Sequence, residues 1–135
     1  MSHPKNPEDT INYVIRLLDQ CSIAYNNPIN NIDYYGNSAR RKNNFSGLLD
    51  GKRFRVCLRT QFTGGGAWQK MIYTYEMLRT NSPEENVIFL YHGTDKRFLH
   101  HMHWIKNEYS KKDSRDSVKI MDLMEFTKYI RDISL

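Results

Sequence analysis

Hydrophobic and polar residues alternate with period two in the middle of the chain, between Phe45 and Phe62. A short run ends at the pair Asp50-Gly51, and a longer run follows from Arg53. An Asp-Gly pair between two alternating runs is typical of a β-hairpin with a two-residue turn. The pattern therefore predicts a hairpin whose second strand has two unlike faces. One face carries Phe54, Val56, Leu58 and Phe62, and the other carries Arg53, Arg55, Cys57, Arg59 and Gln61.

The remaining apolar positions predict helices and strands on both sides of this hairpin. Asn6-Pro7-Glu8-Asp9 is typical of a helix start, and Asp122 with Glu125 forms a capping-box pattern before the last helix. Residues 26 to 44 are rich in turn formers and leave room for one short strand at Ile29 to Tyr35. The other predicted elements are a helix from about Ala67 to Thr80, a buried strand from Val87 to Tyr91, a helix containing Phe98 to Tyr109 and a strand from Val118 to Met121.

This order of elements predicts an α/β fold. Helix, hairpin, helix, strand, helix, strand and helix are expected to form a mixed sheet flanked by helices. A chain of 135 residues is long enough for one core and too short for two, so residues 1–135 are expected to form a single domain.

Charge changes the interpretation of the central strand. The formal net charge is +5, and three guanidinium groups on one side of a strand are not typical of a core. We therefore expect Arg53, Arg55 and Arg59 to meet an anionic partner. A second basic cluster lies at Arg40, Arg41 and Lys42, either as a solvated loop or as an extension of a phosphate-binding surface.

A glycine-rich segment follows the arginine strand directly. Gly64, Gly65 and Gly66 allow backbone N–H groups to approach a phosphate, and the helix that follows adds its positive end. Lys70 lies in the first turn of that helix, where a cation is unfavourable unless an anion meets it. The alternative is a plain connection between strand and helix.

The hairpin, glycine loop and helix together resemble the PD-(D/E)XK superfamily, which includes the type II restriction endonucleases. The resemblance implies a restriction-endonuclease-like fold, a nucleic-acid substrate and a catalytic Mg²⁺ held by two carboxylates. Its acid-x-Lys triplet falls on Arg59-Thr60-Gln61, so an arginine stands where the family has a metal-binding acid. The first aspartate of the family maps either to Ser46 or to Asp50. The resemblance covers the middle third of the chain in its motifs and most of the chain in its order of elements.

Three functions follow from this resemblance. The first is a nucleic-acid-binding domain with a degenerate nuclease site, with DNA preferred over RNA, and with Arg40, Arg41, Lys42, Arg53, Arg55, Arg59, Gly64, Gly65, Gly66 and Lys70 as binding residues. The second is a magnesium-dependent endonuclease in which Glu76 replaces the missing acid, Asp50 and Glu76 hold the metal, Gln61 or Lys70 positions water, and Glu8 is an accessory ligand. The third is a protein-interaction module with an acidic partner.

The histidines and tryptophans allow other interpretations. His100 and His103 are spaced i, i+3 on one helix, and His92 or Asp95 could add a metal ligand, but a solvated or nucleic-acid-facing helix is favoured. For Trp68 and Trp104, core packing is favoured over a role in stacking bases.

The remaining features concern location and assembly. Cys21 and Cys57 have no paired spacing, which argues against a disulfide framework or a zinc site. The first residues lack the apolar core of a signal peptide, and no stretch has membrane-spanning length. We expect an intracellular protein of the cytoplasm, nucleus or nucleoid that contacts no membrane. The resemblance further implies a homodimer or a catalytic partner subunit.

Overall fold

The computed structural model describes residues 3–27, 29–32, 38–41, 43–112 and 118–134, with the backbone alone at 29–32 and 38–41. The four α-helices of this part of the chain are α1 (Pro7–Gln20), α2 (Met71–Asn81), α3 (Lys96–Trp104) and α4 (Leu123–Ile133). Its strands are β1 (Tyr25–Asn26), β2 (Ile29–Ile32), β3 (Ser38–Arg41), β4 (Asn44–Leu49), β5 (Lys52–Gln61), β6 (Asn86–Gly93) and β7 (Val118–Asp122).

Five strands form one mixed sheet in the order β1-β4-β5-β6-β7. Strands β1, β4 and β5 are antiparallel neighbours, whereas β5, β6 and β7 run parallel. The predicted α/β class, with a mixed sheet flanked by helices, is confirmed. The strands β2 and β3 pair with each other in a separate two-stranded hairpin. Its first strand lies within the predicted range at Ile29 to Tyr35, of which residues 33–35 are not described.

The central hairpin forms as its sequence predicts. Asp50 and Gly51 have φ angles of 53° and 75°, the left-handed values that a two-residue turn of type I′ requires. Phe54, Val56 and Leu58 face a core shared with α1 and α4. The opposite face of β5 is also covered, because Cys57 is buried in a second core with residues of α2, α3 and β6. The expectation of a single core is therefore wrong, because helices cover both faces of the sheet. The sheet is therefore packed between helices on both faces.

Local signals fix where the helices begin. The side chain of Asn6 accepts a 2.8 Å hydrogen bond from the backbone of Asp9, and Pro7 occupies the first position of α1. The carboxylate of Asp122 accepts the backbone N–H of Glu125, and the carboxylate of Glu125 accepts that of Asp122, so the predicted capping box is confirmed. Among the described residues, no helix combines the length and the apolar character needed to cross a membrane.

Two predicted helices begin or end with irregular turns. Residues Ala67–Lys70 form a 3₁₀ turn before α2, and Ile105–Tyr109 form a π turn after α3. The helix predicted from Ala67 to Thr80 and the helix predicted to reach Tyr109 are thus present, with a change of pitch at one end of each. Residues 113–117, which precede β7, lie outside the described part of the chain.

Candidate nucleic-acid interface

The glycine loop lies at the carboxyl ends of β5 and β6. In open sheets with parallel strands, this edge is where ligands commonly bind. Gly64, Gly65 and Gly66 are exposed, and a Cβ atom added at Gly64 or Gly65 would meet no atom within 4 Å. The φ angle of Gly65 is 152°, which disfavours an L side chain. The backbone of this loop is therefore open to approach from solvent.

Gln61 holds the glycine loop in place. Its side-chain Nε2 donates to the carbonyls of Thr63 and Gly65 at 3.1 and 3.2 Å, and only 7% of the residue is exposed. Its backbone carbonyl accepts from the N–H groups of Thr94 and Asp95, which join β6 to α3. Nε2 thus serves the loop, whereas Oε1 of Gln61 is buried without a hydrogen-bond partner among the described residues, and the role of Gln61 in positioning a catalytic water stays a prediction.

Two cations flank the loop. Arg59 is partly exposed and donates from Nη1 to the carbonyl of Leu58 at 3.1 Å, and Lys70 is exposed immediately before α2. Neither side chain forms an ion pair with an acid in the described part of the chain. These two predicted binding residues are thus brought to the same end of β5 as the glycine loop.

Of the cluster Arg40, Arg41 and Lys42, the backbone of Arg41 lies near this end of β5. The carbonyl of Asn43 accepts from the N–H of Leu58, and the side chain of Asn43 donates back to the carbonyl of Leu58, each at 2.8 Å. Because consecutive Cα atoms are about 3.8 Å apart, the backbone of Arg41 lies within about 8 Å of Asn43. Lys42 lies outside the described residues, and the roles of all three residues stay a prediction.

The other two arginines of β5 lie at its opposite end. Arg53 donates to the carbonyl of Pro83 at 2.9 Å and approaches Glu85 at 4.0 Å. Arg55 is only 3% exposed, and its Nη1 donates to the hydroxyl of Ser82 at 3.4 Å. The prediction of three guanidinium groups along one open face is therefore wrong, because the carboxyl end of α2 covers Arg55.

The carboxylates proposed for a metal site are not brought together with Gln61. Asp50 lies in the turn before β5, and the ten residues of that strand separate it from Gln61 by about 30 Å. Glu76 lies in the middle of α2, where its carboxylate is 2.6 Å from Arg79. No three His, Cys, Asp or Glu side chains that the structure describes are close enough to hold a metal ion. Asp50 and Gln61 cannot act on one metal-bound water, and magnesium stays a prediction of the resemblance alone.

The candidate ligands of a histidine site have other partners. His92 bonds the carbonyl of Pro4 at 2.9 Å, and Asp95 caps α3 by accepting the N–H of Phe98. His100 and His103 are exposed. Burial lowers the pKa of His101, and the neighbouring His100 lowers it further, so its imidazole is neutral at pH 7.

Sequence reasoning missed two cations and misjudged one aromatic residue. Lys96 and Arg97 are exposed at the start of α3, next to the Thr94–Asp95 segment that bonds Gln61. Both residues come shortly after a predicted buried strand, and residues that follow a parallel strand lie at the edge of the sheet where ligands commonly bind. That position could have identified them. Trp104 was expected in the core, but 41% of it is exposed.

Comparison with known proteins adds little about function. No protein family matches the chain, and no curated protein is significantly similar to it. Among solved structures, it is similar to the crystal structure of a protein of unknown function, AF1548, with a TM-score of 0.46 and 11% sequence identity. The match covers 84% of this chain and 56% of that one, so this chain spans little more than half the length of AF1548.

Proposed function

We propose that this chain is a nucleic-acid-binding domain whose nuclease site, by its resemblance to the PD-(D/E)XK superfamily, is degenerate. DNA is the proposed partner. The observation that carries this proposal is the open glycine loop flanked by Arg59 and Lys70, which pair with no acid among the described residues.

The charges at this edge of the sheet support an anionic ligand. Lys96 and Arg97 add two exposed cations beside the loop. The nearest acid in sequence, Asp95, already accepts a hydrogen bond from the backbone of α3. Cations that pair with no acid in the described part of the chain, beside an exposed loop backbone, attract phosphates, which carry the charge of every nucleic acid.

The same geometry supports binding without cleavage. Arg59 cannot ligate a cation, and Asp50 lies about a strand length away from Gln61. A single carboxylate leaves a divalent cation mostly hydrated and poorly positioned. A domain that keeps its cations and whose described residues bring no carboxylate pair to the loop is suited to hold nucleic acid rather than to hydrolyse it.

Titration of labelled duplex DNA at several salt concentrations tests this proposal. Each phosphate contact contributes about −0.9 to the slope of log affinity against log salt. The double variant Arg59→Ala with Lys70→Ala should weaken binding and make the slope less steep by about two. The matched control is Lys52→Ala with Arg53→Ala, which removes the same charge at the opposite end of β5. Equal effects of the two pairs would show that net charge alone matters.

A cleavage assay separates the proposal from the endonuclease alternative. Plasmid DNA and single-stranded RNA are incubated with the protein, with and without Mg²⁺ or Mn²⁺. We expect no cleavage, and none from Arg59→Glu, because the new carboxylate would have no second one beside it. Chelator-sensitive cleavage that Glu76→Ala abolishes in a folded protein would establish the alternative. Absence of DNA binding at every salt concentration would instead favour the protein-interaction module.

A further inference from the structure

Trp104 is unusually open for so large an aromatic residue. It lies at the carboxyl end of α3, and 41% of its surface is exposed. Exposing an indole to water forgoes the free energy that its burial would contribute, so an exposed Trp is often a binding residue. The neighbouring rings and charges indicate which kind of ligand would bind this surface.

Trp104 belongs to an aromatic row formed by Trp68, His101, Trp104 and Tyr109. The ring centroid of His101 is 5.3 Å from that of Trp68 and 5.7 Å from that of Trp104. The planes of His101 and Trp104 differ by only 21°, so at 5.7 Å the two rings are stacked with an offset. An offset neighbour covers only part of the indole face, which agrees with the exposure of Trp104.

The π turn after α3 completes the row. Tyr109 follows Trp104 by five residues, and in a regular α-helix that spacing would direct the two side chains to different sides. The wider π turn at Ile105–Tyr109 instead places the two rings 5.5 Å apart, tilted by 37°. Such turns are less favourable than regular helix and are frequent at functional sites.

The aromatic row begins at the proposed phosphate site. Trp68 lies two residues after the last glycine of the loop and two residues before Lys70. Residues 96 to 112, which carry the rest of the row, contain five Lys and Arg residues against the single acid Glu108. Of these cations, Lys106 is paired with Glu125 at 2.6 Å. Trp68 and Tyr109 are partly buried against the core of α2 and α3, and Trp104 is the exposed ring of the row.

We propose that Trp104 stacks against an unpaired base of single-stranded DNA whose phosphates bind at the glycine loop. This inference rests on the proposed function. Every base has a π face, so stacking on an aromatic side chain suits a single strand of any sequence, and the flanking cations follow its backbone. A base inside a duplex already stacks on its neighbours and offers no free face, so duplex DNA gains nothing from Trp104.

Intrinsic fluorescence tests the contact directly. Trp68→Phe leaves Trp104 as the single tryptophan of the chain, which has two. Titrating this variant with oligothymidylate should quench its emission, whereas a duplex of equal length should quench it much less. Trp104→Phe, which keeps Trp68, should show the weaker response to oligothymidylate. Binding without quenching of Trp104 would overturn the inference and leave the proposed function standing.

The affinities for single-stranded and duplex DNA provide a second test of the inference. Trp104→Ala should weaken oligothymidylate binding by at least about fivefold, the lower end of the range for losing one stacked base, and leave duplex binding unchanged. Leu48→Ala is the matched control, because Leu48 is 60% exposed near the opposite end of the sheet and should have no effect. Trp104→Phe should retain most of the affinity, and if the alanine variant fails to fold, the fluorescence titration of Trp68→Phe decides the matter. An equal loss for both DNA forms would overturn the inference, and no binding of either form by the unaltered protein would overturn the proposed function as well.

Discussion

The two ends of β5 carry the same kind of side chain in opposite environments. At the end that begins the strand, Arg55 is buried beneath α2 and bonds Ser82. At the end that finishes it, Arg59 is partly exposed beside an open glycine loop. Both residues have the same parity and therefore lie on the same face of the sheet. The difference shows that parity assigns a side chain to a face, whereas the helix packed over that face decides its exposure.

The loop end is also more highly constrained in its backbone. The carbonyl of Gln61 accepts two N–H groups from the segment after β6. At the other end, Asp50 and Gly51 form the turn in left-handed conformations, and the strands beside it belong to one hairpin. The candidate interface therefore combines an open surface with a firmly held backbone. A rigid frame below an open loop is a common arrangement for binding sites.

The largest expected effect tests this constraint at the loop end. A Cβ atom at Gly93 would lie 2.1 Å from the backbone oxygen of Gln61, so Gly93→Ala must push β5 and β6 apart. We expect a loss of about 3 kcal/mol in the free energy of unfolding, the upper part of the usual range for overpacking. Denaturation in urea measures it. Gly64→Ala is the control, since its Cβ meets nothing, and it should change stability by less than about 0.5 kcal/mol. Similar losses of stability for both variants would show that the backbone at Gly93 is no more constrained than the glycine loop.

The next prediction separates the two arginines of β5. Arg55→Ala should cost about 2 kcal/mol of stability, because it removes a buried side chain and its hydrogen bonds, and it should leave the salt dependence of DNA binding unchanged. Arg59→Ala should cost less than about 0.5 kcal/mol and make the salt slope less steep by about 0.9. Denaturation and DNA titration on the same two proteins give both numbers. A reduced slope for a folded Arg55→Ala would contradict the assignment of Arg55 to the core.

The smallest expected effect concerns pH and is confined to the loop side of the molecule. The pKa of His101 is lowered from 6.5 by burial and by His100, so the folded protein binds this proton less readily than the unfolded chain. Its contribution to stability is complete above pH 6.5 and is lost as pH falls from 6.5 through the lowered value. Replacing His101 with Gln should flatten this part of the stability curve, measured by urea denaturation between pH 7.5 and 5. An unchanged curve would show that other groups dominate it.

Sequence patterns determined the helices and the longer strands in their order, but they missed the short strands β1 and β3. The alternation from Phe45, the Asp50-Gly51 turn and the caps at Asn6 and Asp122 depend on interactions within a few residues, and each appears in the structure as predicted. The glycine loop and Lys70 were identified in the same way. Local rules suffice there because the partners of each backbone group are close along the chain.

Only the tertiary structure decided which of these residues meet. The distance between Asp50 and Gln61 follows from the full length of β5, and the burial of Arg55 follows from where α2 ends. Trp104 is 41% exposed, and the π turn places Tyr109 beside it. The burial of Arg55 is set by packing between elements far apart in sequence. The hydrophobic effect favours the total area that is buried, so the identity of a single residue does not predict which helix will cover it. The sequence by itself thus determined a basic α/β domain with a glycine loop, and the packing of α2 and α3 on the sheet determined which cations and rings face solvent around that loop.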